Sequence, residues 1–240
     1  MTQSLMVNEI FLSLQGESTY AGLPCVFIRL TGCDLRCSYC DTAYAFSEGK
    51  RMSVDEIYDE AIRLSRPYDK FKYRLPIIEV TGGEPLLQSS TPALLERFCN
   101  VGLTVLLETS GAHDISITSR QVKRIMDLKC PSSGESSKNR WENINHLKPD
   151  DEIKFVIASF EDYEWAKKIV GNYKLNDICP ILFSWAEPLS IAQSCLKPFP
   201  SEHKRINRRE LAQLILKDGL PVRFQAQLHK IIWPDILRGV

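Results

Sequence analysis

Eight short stretches of the chain are rich in apolar and β-branched side chains: 9–14 (EIFLSL), 25–30 (CVFIRL), 76–80 (PIIEV), 104–109 (TVLLET), 124–129 (RIMDLK), 152–157 (EIKFVI), 178–185 (ICPILFSW) and 222–228 (VRFQAQL). Most are apolar on both faces, which marks strands covered on two sides rather than one. Helical patterns with legible ends lie between several of them. STPALLERFCNVG offers Thr91 as N-cap, Pro92 in the first turn and Gly102 as stop, and NRRELAQLILKDG offers Asn207, Glu210 and Gly219 in the same roles. Strands buried on both faces and joined through helices predict an α/β fold with a mostly parallel sheet, flat or curled into a whole or partial β/α barrel. Residues 131–150 and 186–206 read as loops, and no repeat or linker divides the chain, so 1–240 is expected to form one domain.

The polar residues are distributed unevenly over this pattern. Thr81, Gly82, Gly83 and Glu84 follow the third strand; Glu108, Thr109 and Ser110 follow the fourth; Lys129, Glu187, Gln227 and His229 close later ones. In parallel α/β folds the carboxyl ends of strands are where helix N-termini and adaptable loops converge and sites are built.

Composition narrows the classes of function. Thirty basic residues balance thirty acidic ones, with no run of like charge to grip a phosphate backbone or an anionic membrane, so neither nucleic acid nor membrane is an expected partner. The opening MTQSLMVNEIFLSLQGE lacks the basic and long apolar regions of a secretory signal, and no apolar run approaches a bilayer span. A cytoplasmic location is expected. In that reducing compartment eight cysteines read as ligands or small buried hydrophobes rather than as a disulfide framework.

Three of those cysteines, Cys33, Cys37 and Cys40, fall within TGCDLRCSYCDT. Structural zinc needs four ligands, normally as two knuckles, and this segment supplies neither a second knuckle nor a histidine. The spacing also departs from the ferredoxin run, in which four thiolates hold the cluster. A cubane held by three thiolates leaves one iron open to an exogenous chelating ligand. The spacing Cys-x3-Cys-x2-Cys after a strand is the signature of enzymes that place S-adenosylmethionine on that iron. EVTGGEP supports the reading, since two glycines let backbone approach a bound amino-acid tail closely. Cys25, Cys99, Cys130, Cys179 and Cys195 stand alone and read as structural.

On these motifs, with SLQGES, CVFIRLTGCDLRCSYCDT, ETSG, DLKCPSSGE and the terminal RGV, the chain resembles the 7-carboxy-7-deazaguanine synthase family of radical S-adenosylmethionine enzymes over nearly its whole length. The resemblance implies a shortened β/α barrel, a homodimer, a 4Fe-4S cluster, S-adenosylmethionine and Mg²⁺. It also implies a flavodoxin- or ferredoxin-like reductant. The reaction it implies turns 6-carboxy-5,6,7,8-tetrahydropterin into 7-carboxy-7-deazaguanine and ammonia through a 5′-deoxyadenosyl radical, in queuosine biosynthesis. Carried onto this sequence, Cys33, Cys37 and Cys40 become the cluster ligands. Gly83, Ser132, Ser133 and the backbone at Tyr39, Cys40 and Asp41 become the adenosylmethionine site. Leu14, Gln15, Gly16, Arg29 and Thr81 become the substrate site, and Thr42 a magnesium ligand. The Arg29 fork suits a substrate carboxylate; its alternative is an ion pair inside the barrel, with Glu17 for instance. One departure is visible: the family commonly continues LQGEG where this chain has LQGES, which makes the loop after Glu17 less permissive. A different radical enzyme such as a glycyl-radical activase, an iron-sulfur electron carrier and a zinc module are the competing classes.

Overall fold

The computed structural model describes residues 3–68, 70, 76–189, 193 and 197–240. Nine strands form one sheet in the order β3-β1-β2-β4-β5-β6-β7-β8-β9. They are β1 (Ser4–Leu14), β2 (Pro24–Leu30), β3 (Lys50–Ser53), β4 (Ile77–Gly82), β5 (Val105–Thr109), β6 (Lys123–Asp127), β7 (Glu152–Ile157), β8 (Ile181–Trp185) and β9 (Arg223–Gln225). From β2 through β9 every neighbouring pair is parallel, whereas β1 runs antiparallel to both β2 and β3. The helices α1 (Val54–Ser65), α2 (Thr91–Asn100), α3 (Phe160–Asn172) and α4 (Arg208–Asp218) are followed by the short α5 (Leu228–Ile232).

The sheet curls around its inner face. The segment after β1 touches three distant strands at once: Gln15 Nε2 donates to Glu79 of β4, Thr19 N to Glu152 of β7 at 3.0 Å, and Ser18 N to Gln225 of β9 at 3.1 Å. A flat sheet could not bring β4 and β9 to one loop. The result is the partial, open barrel expected from the alternation of strands and helices.

Strand periodicity then sorts the side chains. Val26, Ile28 and Leu30 of β2, Ile78 and Val80 of β4, Val105 and Leu107 of β5, and Ile153, Phe155 and Ile157 of β7 all face outward. There they join Ile57, Leu94, Phe98, Tyr163 and Leu211 of the helices in one large core. The inner face carries a second, smaller cluster: Cys25, Phe27, Ile77, Leu106 and Ile125, with Phe11 and Tyr20 against it. This plug closes the barrel at the amino ends of the strands. One layer up, the same inward-facing register turns polar, with Arg29, Thr81, Glu108, Asp127, Lys154 and Ser184.

Several expected details shift. β1 begins five residues earlier than predicted, and β3, α1 and α3 went unassigned in the sequence. The apolar stretch at 222–228 divides: only Arg223–Gln225 pairs as a strand, and Leu228 opens α5, so Gln227 precedes a helix and His229 lies in it. Thr91 is the first helical residue of α2 rather than its cap, because its hydroxyl donates to Pro85 O at 2.6 Å. In α4 the expected ends hold: Asn207 and Glu210 form a reciprocal capping box and Gly219 is left-handed. Residues 131–146 contain three short 3₁₀ turns instead of plain loop. Cys195 lies outside the described residues.

Candidate functional site

A cavity of about 360 Å³ opens at the carboxyl ends of the parallel strands. Its walls include the three clustered cysteines, the predicted residues Leu14, Gln15, Gly16, Arg29, Tyr39, Asp41, Thr42, Thr81 and Gly83, and the C-terminal Trp233 and Val240. Residues separated by more than two hundred positions thus meet in one place.

The cysteine loop is held from two sides. Below it, the turn after β4 makes backbone contact: Glu84 N donates to Gly32 O at 2.8 Å and Gly83 N to Leu30 O at 3.1 Å. A Cβ on Gly83 would lie 2.2 Å from Gly32 O and 2.8 Å from Cys33 Cβ, so only glycine permits this approach. Glu84 is fully buried and accepts from Thr109 Oγ1, Ser110 N, Ser110 Oγ and Leu86 N, which ties the TGGEP and ETSG segments together. From the other side, Ser38 N donates to Ser133 O at 3.0 Å and Ser38 Oγ to Ser132 O at 2.6 Å. The side chains of Ser132 and Ser133 turn away from the cavity and are completely buried. Ser132 N and Oγ bond Asp162 of α3, and Ser133 Oγ bonds Cys130 O at 2.6 Å.

Cys33, Cys37 and Cys40 are half-buried. Burial pushes all three upward, Cys40 to about 12, and Cys37 adds to the rise at both Cys33 and Cys40. Lys129 stands among them with its Nζ 2.7 Å from Asp127 Oδ2. Burial alone would weaken its charge, but Asp127 and the neighbouring Cys37 outweigh that and hold it protonated. Among the described residues no three His, Cys, Asp or Glu side chains converge tightly enough to hold a single metal ion. Three soft thiols lining one cavity fit a polynuclear iron-sulfur cluster, in which each thiolate meets its own iron. Among the described residues, Tyr39 Oη and Asp127 Oδ1 beside them are buried with no hydrogen-bond partner, as walls shaped for a polar ligand would leave them.

The next layer down is a dense charge array. Register places Glu9, Arg29 and Thr81 side by side across β1, β2 and β4. Arg29 Nε donates to Glu9 at 2.7 Å, and Tyr44 Oη donates to the same carboxylate oxygen at 2.9 Å. The ion-pair partner of Arg29 is therefore Glu9, not Glu17. Glu17 is taken by Lys154, whose Nζ lies 3.0 Å from it and also bonds Glu108. Burial opposes ionisation of Glu108, yet Lys154 and the Thr81 hydroxyl outweigh it and hold the carboxyl below its usual range. Glu79, 2% exposed, goes the other way: burial and then the Glu108 carboxylate raise it well above the usual range.

Toward the mouth, Thr42 Oγ1 donates to Asp41 at 2.9 Å, and Lys230 of α5 bonds the other Asp41 oxygen at 2.6 Å. Gly16 O accepts from Leu228 N at 2.9 Å, and a Cβ on Gly16 would lie 2.5 Å from His229 Nδ1. The C-terminal segment is thus seated on the cavity by the loops after β1 and β2. Sequence reasoning missed Glu9, Glu79, Lys154, Tyr44 and Lys230. A signal existed for two of them: Glu79 in PIIEV and Lys154 in EIKFVI are charges inside otherwise apolar strands, which only an inward-facing site repays.

A family model described as the radical SAM superfamily matches residues 27–178. A protein of Koribacter versatilis named 7-carboxy-7-deazaguanine synthase is 40% identical over 238 residues, covering 98% of this chain and 100% of its own. One of the same name from Chlorobaculum tepidum is 40% identical over 239 residues, covering 98% and 97%. In structure, QueE from Escherichia coli superposes with a TM-score of 0.68 at 19% identity, covering 94% of this chain and 95% of that one. SuiB of Streptococcus suis bound to S-adenosylmethionine has a TM-score of 0.57 at 15% identity, covering 86% and 51%. At these identities the two structures bear on the fold.

Proposed function

Because the chain belongs to the 7-carboxy-7-deazaguanine synthases of the radical S-adenosylmethionine superfamily, we propose that its cavity converts 6-carboxy-5,6,7,8-tetrahydropterin to 7-carboxy-7-deazaguanine with loss of ammonia. The enzyme is a radical S-adenosylmethionine lyase that uses a 4Fe-4S cluster and adenosylmethionine. The observation that carries the residue-level reading is the layering of one cavity: thiols at the rim, a guanidinium and a threonine beneath them, and a hydrogen-bonding floor below.

Cys33, Cys37 and Cys40 hold the cluster. When bound, the cluster and adenosylmethionine supply a carbon radical that abstracts hydrogen from the substrate. Gly83 and the backbone of Tyr39, Cys40 and Asp41 border the cofactor. Ser132 and Ser133 serve it indirectly, because their carbonyls grip Ser38 of the cysteine loop. Arg29 keeps its terminal guanidinium nitrogens for the substrate carboxylate while Glu9 fixes Nε. Leu14, Gln15 and Gly16 border the ring system, with Thr81 beside Arg29. Lys154 pairs with both Glu17 and Glu108 and offsets one of their two negative charges beside the substrate. A cavity lined by so many packed side chains also excludes water from a reactive radical.

Thr42 is a hard oxygen donor at the rim, and its hydroxyl supports a Mg²⁺ ligand role shared with substrate and water. A homodimer is supported by apolar side chains exposed together near the C-terminus: Phe224, Ile231, Ile232, Ile236 and Leu237. One uninterrupted nine-stranded sheet supports a single core domain over 1–240. Reductive cleavage needs an electron, hence a flavodoxin- or ferredoxin-like donor. Cys25, Cys99, Cys130 and Cys179 are free thiols, which fits a reducing cytoplasm. Among the described residues no helix is long and apolar enough to cross a membrane.

The test is anaerobic turnover. With a reductant, adenosylmethionine and the carboxylated tetrahydropterin, 5′-deoxyadenosine and the deazapurine acid are expected together. Adenosylmethionine cleavage that the pterin neither accelerates nor converts into product overturns the substrate assignment.

A further inference from the structure

Glu79 sits in the middle of β4, flanked in register by Phe27 of β2 and Leu106 of β5, both apolar and buried. It faces the cavity and is 2% exposed. Gln15 Nε2 bonds its Oε2, and the Gln15 amide is locked at its other end because Gln15 Oε1 accepts from Glu17 N at 2.9 Å. Among the described residues Gln15 is the side chain that bonds Glu79, and none forms an ion pair with it. A carboxyl group in an apolar layer normally collects several donors. Here the protein supplies one amide, while the other carboxyl oxygen is left for whatever fills the cavity.

Glu79 also lies two residues before Thr81 on the same strand face, so it is about 7 Å below the Thr81–Arg29 level. A bicyclic ligand whose carboxylate meets Arg29 therefore points its far end at Glu79. In the proposed substrate that end is an aminopyrimidine, whose exocyclic amino group is an N–H donor.

Resting on the substrate reading above, we infer that Glu79 is the residue that recognises the aminopyrimidine end of the substrate: one carboxyl oxygen accepts from the ligand's 2-amino group while Gln15 holds the other. This makes Glu79 a specificity residue for 2-amino pteridines. A glutamine cannot replace it, because its carboxamide turns an NH2 group, itself a donor, toward either Gln15 or the ligand's amino group and leaves that donor unmet. The Gln15 amide cannot rotate to compensate without losing Glu17 N. Short of a second donor, the buried Glu79 carboxyl holds its proton above the usual range, and the ligand's amino group favours the carboxylate, both of whose oxygens accept.

The experiment measures binding of two unreactive fluorescent probes to the cluster- and adenosylmethionine-loaded enzyme. The probes are 6-carboxypterin, which has the 2-amino group, and 6-carboxylumazine, which has an oxo group there. The enzyme is expected to prefer the pterin by roughly tenfold or more. Glu79→Gln is expected to lose most of that preference while keeping cluster content and adenosylmethionine affinity. An unchanged preference in Glu79→Gln makes the residue merely structural and overturns the inference. Equal affinity of the unmutated enzyme for both probes overturns it whether or not any variant folds. Failure of the unmutated enzyme to bind either probe sinks the substrate reading, and this inference with it.

Discussion

Gly83→Ala isolates the contact on which the rim of the cavity depends. Its added Cβ would fall 2.2 Å from Gly32 O and 2.8 Å from Cys33 Cβ, whereas ordinary contact begins at 3.4 Å. The two loops must therefore separate by about 1 Å, five times the tolerance of about 0.2 Å within which metal ligands have to sit. The separation also stretches the bonds from Gly83 N to Leu30 O and from Glu84 N to Gly32 O. Overpacking of this kind costs about 1–3 kcal/mol and each of the two weakened hydrogen bonds about 1 kcal/mol, so a loss of about 3–5 kcal/mol is expected. For a chain of this length that lowers the melting temperature by about 6–20 °C. The protein should still fold, yet take up little iron. The assay pairs thermal melting by circular dichroism with iron, sulfide and visible absorbance after anaerobic reconstitution. Gly171→Ala is the control: it lies in the exposed face of α3 with nothing within 4 Å of its Cβ, and should stabilise by about 0.5–1 kcal/mol. Full iron occupancy and an unshifted melt for Gly83→Ala would refute the close-approach argument.

Cys33→Ala, Cys37→Ala and Cys40→Ala should each abolish turnover with the fold retained, while Cys99→Ala stays active; equal loss from Cys99→Ala, read by 5′-deoxyadenosine production, would contradict the ligand assignment. Thr42→Val should keep cluster and adenosylmethionine binding yet lose most magnesium stimulation, with Thr42→Ser preserving it; product formation titrated against Mg²⁺ decides, and a parent-like response of Thr42→Val moves the metal elsewhere. Ser18 holds a left-handed backbone at φ 66° and its Oγ accepts from Tyr20 N at 3.0 Å; Ser18→Ala keeps the strain and loses the bond, so it should be less stable than Ser18→Gly by about 1 kcal/mol in urea unfolding, and the reverse order would show that this loop is not strained. Glu79, faced by Glu17, Arg29, Glu108 and Lys154, has a folded-state pKa above the unfolded value of about 4.3. The folded protein then binds the extra proton, so this group's stabilisation is complete below that value and declines as pH rises, by at most about 1.4 kcal/mol per unit. The stability of Glu79→Gln relative to the parent should accordingly climb between pH 5 and 8, and parallel unfolding curves would rule out a buried neutral carboxyl.

Much of this protein was legible along the chain because the signals are local. Two-sided apolar strands, a capping box at Asn207 and Glu210, and three thiols within eight positions each state their meaning within a few residues, and they were enough for the parallel sheet, α4 and the cluster loop. The inward charges were not legible in that way. Glu79 and Lys154 interrupt apolar strands, but whether such a charge faces helices, water or a cavity depends on the curl of the sheet, which arises from contacts such as those of Gln15 and Ser18 across the barrel. The partner of Arg29 likewise follows from cross-strand register with Glu9, not from proximity along the chain. Short elements also escaped: three residues of β9 pair as a strand because β8 offers them an edge, and the apolar run continuing past them turns helical where Gly16 accepts from Leu228. Ser132 and Ser133 show the same limit from the other direction, since their motif was visible but only packing against Asp162 and Cys130 turned their hydroxyls out of the cavity. Local chemistry is written in neighbouring residues, whereas the direction in which a side chain points is set by the distant strand or helix that fills the space around it.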